Sequence, residues 1–197
     1  YLLPHVVPGI RAAYPELTLQ LAEEKTESIL NMLRRGDLDA GVLALPVNVE
    51  GMAMETLFAE PFVVALPNNH PLTKKTKITL SDLEHAELLL LEDGHCLREH
   101  ALEVCRLAGA RERVDFHATS METLRQMVAA EVGVTLMPLL AVKPPIAKTD
   151  NVAIRPFAQP APSRTLALVW RASSALSGFL VEFSEHLKAI PPGLLKP

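Results

Sequence analysis

Leu17-Thr-Leu-Gln-Leu-Ala-Glu23, Thr26-Glu-Ser-Ile-Leu-Asn-Met-Leu33 and Ala40-Gly-Val-Leu-Ala-Leu45 follow one another with short breaks between them. The first segment alternates apolar and polar residues with period two, which predicts a half-buried strand. The second opens on Thr26, a hydroxyl N-cap candidate, and its Ile29, Leu30, Met32 and Leu33 fall on one helical face before Gly36 closes the run. The third is a short apolar run bounded by turn residues, suited to a strand buried on both faces of a parallel sheet. A strand, a helix and a strand in this order predict an α/β fold.

The alternation continues outward from this unit. Strands are expected at Met52–Leu57, Phe62–Leu66, Leu88–Leu91, Val134–Met137, Val152–Ile154 and Thr165–Trp170. Helices are expected at Ser81–His85, Cys96–Ala108, Met121–Ala130 and from Ala175 to about Ile190. Pro156 to Pro162 reads as a short ordered connection or a flexible loop, and Pro191 to Pro197 as a frayed tail. A chain of 197 residues fits one α/β domain or two lobes of roughly 100 residues each. Periodicity alone does not choose between them.

Composition narrows the function. The chain is 49% hydrophobic and 21% charged, an ordinary globular balance able to form a core. Nineteen Lys and Arg against 23 Asp and Glu give a net charge of −4, with no basic block, which argues against a nucleic-acid-binding surface in this stretch. The longest uncharged apolar run, Val132 to Val142, has eleven residues and contains Pro138, well short of the ~20 needed to span a membrane. The chain begins at Tyr1 without the features of a signal peptide, so it reads as a piece of a longer protein. Two cysteines exclude a disulfide-built scaffold and a Cys-rich zinc site, leaving the expectation of a cytoplasmic chain.

Those two thiols, Cys96 and Cys105, lie in the most informative segment, Leu88-Leu-Leu-Leu-Glu-Asp-Gly-His-Cys-Leu-Arg-Glu-His-Ala-Leu-Glu-Val-Cys105. It reads as a buried strand, a polar turn around Gly94, and a helix beginning near Cys96. Free first-turn N–H groups and the helix dipole favour an anion there, and Arg98 could add positive charge, so Cys96 is a candidate for attack on peroxide or another electrophile. The plainer reading is a small buried hydrophobe, the commonest state of a free cysteine. Nine helical positions put Cys105 on the opposite face from Cys96 and roughly 13 Å along the axis. A disulfide needs Cα atoms within about 7 Å. The pair is therefore chemically irrelevant or a conformational switch.

Metal binding by His95, Cys96, His100 and Cys105 is disfavoured, because a continuous helix cannot converge all four on one ion, and no metal or cofactor is expected. Thr119 and Ser120 precede the helix expected from Met121, where an N-cap role outweighs ligand contact. No phosphate-binding loop, dinucleotide fingerprint or nucleophile elbow is present.

Leu91-Glu-Asp-Gly-His-Cys-Leu-Arg98, the Cys105 that follows, Ala118-Thr-Ser-Met-Glu-Thr-Leu-Arg-Gln-Met-Val-Ala-Ala130 and Arg164-Thr-Leu-Ala-Leu-Val-Trp170 resemble the OxyR branch, the peroxide sensors, of the LysR-type transcriptional regulators. Gly36-Asp-Leu-Asp-Ala-Gly41 is shared with LysR-type effector domains in general, and the resemblance covers essentially the whole chain. It implies two Rossmann-like lobes of the periplasmic-binding-protein type joined by two crossover segments. Residues 1–58 plus 166–197 would form one lobe, its first strand missing, and residues 59–165 the lobe carrying both cysteines. It further implies that Cys96 is peroxidatic and Cys105 resolving, with Thr26, Gly94, His95, Arg98 and Arg164 around the peroxide and thiolate, and Thr119 and Ser120 as possible pocket caps. A family threonine falls before residue 1, and Asp115 stands where some relatives carry histidine.

The function so implied is a non-enzymatic sensor domain. Hydrogen peroxide would oxidise it, a homodimer or homotetramer would change geometry, and glutaredoxin or thioredoxin would reset it. DNA would be bound through an upstream winged helix-turn-helix, and RNA polymerase contacted by the full-length regulator. The rival readings are a LysR-type effector domain taking a small metabolite between its lobes, and a thiol peroxidase, which lacks support from any Cys-x-x-Cys motif.

Overall fold

The computed structural model describes residues 1–191 and 193–196. The chain divides into two compact units, one built from Tyr1–Glu60 and Arg164–Lys196, the other from Pro61–Ser163.

In the first unit, β1 (Gly41–Leu45), β7 (Ser163–Arg171) and the first part of β2 (Met52–Pro67) lie side by side in that order. β7 shows why this sheet is covered on both faces. Its Leu168 and Trp170 pack with Val6 and Ile10 of α1 (Leu3–Ala13) and Leu180 and Leu187 of α5 (Ser177–Lys188), while Ala167 and Val169 pack with Leu30 and Leu33 of α2 (Thr26–Arg35). Successive strand residues serve opposite layers. α2 lies so close to β1 that a Cβ on Gly41 would meet Ile29 Cγ2 at 2.6 Å, so a side chain there would displace Ile29.

The second unit contains both cysteines. β3 (Glu87–Leu91) and β4 (Arg111–Ala118) run parallel, connected by α3 (Cys96–Ala108). Leu88 also bridges in parallel to Val134, at the head of β5 (Thr135–Pro138), and the Leu89 N–H donates to the Val134 carbonyl at 2.8 Å. The second part of β2 runs antiparallel to β5 on one side and to β6 (Val152–Pro156) on the other. Phe62–Leu66 is at most 1% exposed throughout, so both faces of this strand are covered, which accounts for a continuous apolar run in place of alternation. α4 (Met121–Ala129) buries Leu124 and Val128 in the same core.

Several expectations are corrected. Leu17–Glu23 forms no ladder among the described residues; Leu17 and Leu19 pack on the α1/α5 cluster, while Leu21 is exposed. Alternation reports a buried face, whereas a strand also requires a neighbouring backbone. β1 is antiparallel to β7, not part of a parallel pair, because strand direction follows the chain's return path and local composition carries no record of it. Ser81–His85 is a 3-10 turn over Leu80–Leu83. α1 went unread because Pro8 interrupts its pattern, while Pro4, in the first turn, costs no helical hydrogen bond. Of the two readings of Pro156–Pro162, the ordered connection holds, with Phe157 2% exposed and the Pro162 carbonyl accepting from Phe62 N–H at 2.8 Å. Of the expected frayed tail, Pro192 and Pro197 lie outside the described residues, and the remainder turns back through a Leu194 N–H bond to the Pro191 carbonyl.

Candidate functional site

β3 ends at Leu91 and the chain reverses through Glu92-Asp-Gly-His95 into α3. Gly94 sits at φ 89°, in the left-handed region that favours glycine, which lets His95 take the extended N-cap conformation and Cys96 open the helix. Cys96 is half-buried and a free thiol. Its carbonyl accepts a hydrogen bond from His100 Nδ1 at 2.7 Å, and the His100 ring lies 6.4 Å from Phe62. His95 Nε2 is 3.8 Å from a Glu92 carboxylate oxygen.

Cys105 is the second free thiol, only 4% exposed. Burial pushes its pKa up to about 11, and the negative charge of Glu112 adds to the effect. α3 is continuous from Cys96 through Cys105, so the two thiols are separated by roughly 13 Å of helix rise. A bond between them requires the intervening residues to leave the helix.

Arg98, expected beside the Cys96 thiol, is held by acceptors in the turn and on β4. Its Nε donates to Asp93 at 2.7 Å, Nη1 to the Leu91 carbonyl at 3.1 Å and Nη2 to Glu112 Oε2 at 3.0 Å, with Nη1 also on Glu112 Oε1. The Glu112 hydrogen bond raises the guanidinium pKa and in return holds the Glu112 carboxyl below its ordinary range. His117 Nε2 lies 3.1 Å from Glu112 Oε1 and completes the cluster.

Glu112 and His117 escaped the sequence reading for a physical reason. A regular strand would hold residues five apart at roughly 16 Å. Here Glu112 stands opposite Leu88 and His117 opposite Leu90, so residues 113–116 bulge out of the ladder and the two side chains meet. Val114 is left 79% exposed, and Asp115 pairs with Arg113 at 2.8 Å. No local pattern in a run as polar as Arg-Glu-Arg-Val-Asp-Phe-His announces such an irregularity.

The remaining candidates fall into two groups. Thr119 and Ser120 follow β4 and are exposed, and the backbone returns to the thiol turn through Glu92 N–H on the Ala118 carbonyl at 2.9 Å. Ser120 caps α4, its Oγ accepting from Thr123 N–H at 3.1 Å. Thr26 and Arg164 belong to the first unit. Thr26 is the first residue of α2, Lys25 occupies the N-cap and no side chain caps the helix, so the expected threonine cap is absent. Arg164 donates from Nε and Nη2 to Glu60 Oε2 at 2.9 and 2.7 Å.

Comparison with known proteins gives a consistent result. The family model for the LysR substrate binding domain matches residues 1–190. The DNA-binding transcriptional dual regulator OxyR of Escherichia coli K12 is 43% identical over 189 residues, covering 96% of this chain and 62% of that protein. A hydrogen peroxide-inducible genes activator of Haemophilus influenzae is 40% identical over 98% of this chain and 65% of its own length. This chain thus spans somewhat under two thirds of these relatives. Among solved structures, the reduced form of OxyR aligns with a TM-score of 0.86 at 40% identity, over 96% of this chain and 88% of that one. The oxidized form aligns with a TM-score of 0.85 at 43% identity, over 96% and 89%. The chain belongs to the LysR substrate binding domain family, and OxyR regulatory domains are among its relatives there.

Proposed function

We propose that this domain is the hydrogen peroxide sensor of a LysR-type transcription regulator, and that its signal is a disulfide between Cys96 and Cys105. The observation that carries the reading is the placement of two free thiols on one continuous helix, the first at its N-terminus and the second buried at its tenth residue. The Cys96 thiolate attacks one peroxide oxygen, forming an S–O bond as the O–O bond breaks and hydroxide leaves. Cys105 then displaces the hydroxyl of the sulfenic acid. The S–S bond forms, and the Cys105 proton departs with that hydroxyl as water. A thiol held protonated by burial is a poor nucleophile, so Cys105 must leave its pocket before it reacts. α3 opening therefore precedes the disulfide and is the structural output.

Gly94 and His95 shape the turn that presents Cys96, Arg98 ties it to β4, and Thr119 and Ser120 stand where the chain leaves the adjoining strand. The relatives named as gene activators supply the wider setting. The domain belongs to a cytoplasmic homodimer or homotetramer that binds DNA through a winged helix-turn-helix, engages RNA polymerase and is reset by glutaredoxin or thioredoxin. It reacts stoichiometrically and is no peroxidase. Intact mass and non-reducing peptide mapping after one equivalent of hydrogen peroxide test the chemistry. The expected result is loss of two hydrogens mapped to a Cys96–Cys105 link. Cys96→Ser abolishes all modification, and Cys105→Ser stops at the sulfenic acid. An unmodified protein would overturn the reading in favour of a metabolite-binding effector domain.

A further inference from the structure

Building on that redox reading, we propose that Glu112 is the latch of the switch: its carboxylate, clamped on Arg98 and His117, holds the first turn of α3 on β4 and so sets how fast oxidised Cys96 reaches Cys105. When residues 96–105 leave the helix, Arg98 leaves with them. Two of its partners, the Leu91 carbonyl and Asp93, lie just ahead of the helix in the chain that carries it. Glu112 belongs to β4, outside the segment that unwinds, so its two-point contact with Arg98 ties the moving segment to the framework. The pair is well shielded, with the Arg98 side chain 10% and the Glu112 side chain 18% exposed, where charge-assisted bonds hold more firmly than on an open surface.

Glu112 restrains the switch in a second way. Elements packed on α3 carry Asp82 in the turn before β3, Glu87 on β3, and Arg111, Glu112, Arg113, Asp115 and His117 on β4. Asp82 is bound by Lys75 and Asp115 by Arg113, whereas the charge of Glu112 bears on Cys105 and favours its protonated form. One carboxylate thus adds to the burial that keeps the resolving thiol protonated, and holds the peroxidatic turn docked. The step it governs consumes Cys96 sulfenic acid and Cys105 thiol and yields the disulfide and water.

The test separates the two steps by rapid mixing of reduced domain with hydrogen peroxide, chemical quench, thiol alkylation and mass analysis. Disulfide formation is read as the first-order, peroxide-independent phase, and Cys96 oxidation as the second-order phase. Glu112→Gln is expected to leave the second-order constant within about twofold and to speed the first-order phase about tenfold, a change of ~1.4 kcal/mol in barrier. It also moves the pH midpoint of that phase downward, which simple loss of stability would not do. Glu112→Asp restores most of the restraint. His117→Phe, which removes one partner of the carboxylate and keeps Glu112 itself, accelerates the phase by a smaller factor. Met137→Ala, a core truncation away from the cluster, leaves the first-order phase unchanged. An unaltered first-order phase in Glu112→Gln, or equal acceleration by Met137→Ala, overturns the latch while the redox reading stands. Absence of Cys96 oxidation in the unsubstituted domain overturns both.

Discussion

Cys105 carries a stability signature that can be measured without any oxidant. Its folded-state pKa of about 11 stands above the ordinary value of 9.0 because burial disfavours the thiolate and Glu112 repels it. Folding keeps the proton on, so the contribution to stability is fully present below pH 9.0 and is lost as pH rises toward 11, where the unfolded chain has already ionised. Between pH 8.5 and 10.5 the reduced domain should lose about 2 kcal/mol more than Cys105→Ala does, as read by urea unfolding at each pH. Equal losses in the two proteins would mean that the thiol is not held protonated. At this scale the sequence showed the unusual position of Cys96 at a helix start and the geometric bar to pairing, since both follow from spacing along one helix. It could not show Glu112 and His117, which a bulge brings together across a ladder that the sequence did not reveal.

Elements were most legible where one buried face imposes a single period. α3 spans Cys96–Ala108 as its spacing predicts, α4 differs from its expected range by one residue, and β3 by one. β4 was unread because its burial follows no period, and the Leu17–Glu23 alternation misled because it marked packing without pairing. The two hydroxyl residues expected to cap helices make the same point by contrast. Ser120 satisfies Thr123 N–H and should cost about 1 kcal/mol when replaced by alanine, the usual value for a lost N-cap. Thr26 lies inside the first turn of α2 without capping it, so Thr26→Ala should change stability by no more than about 0.5 kcal/mol. Urea unfolding of the two variants reads both. A large effect at Thr26 would restore the cap that the structure removes.

Over the whole chain, the first unit is assembled from both ends of the sequence, and its two segments must recognise each other across the residues inserted between them. Hydrophobic layers on β7 supply affinity, but apolar contacts tolerate small slips. The ion pair between Glu60 and Arg164 supplies register: the residues are 104 positions apart, Glu60 closes one segment and Arg164 opens the other. The Glu60 side chain is 0% and that of Arg164 14% exposed. Removing one member of such a pair deprives a desolvated charge of its opposite charge, whereas removing both does not. Arg164→Met should therefore cost about 3 kcal/mol. Glu60→Gln with Arg164→Met should recover a substantial part of that loss, giving a favourable coupling of at least ~1 kcal/mol in a double-mutant cycle. Strict additivity of the single effects would instead make the pair a by-product of the fold, leaving the β7 layers alone to join the two ends of the chain.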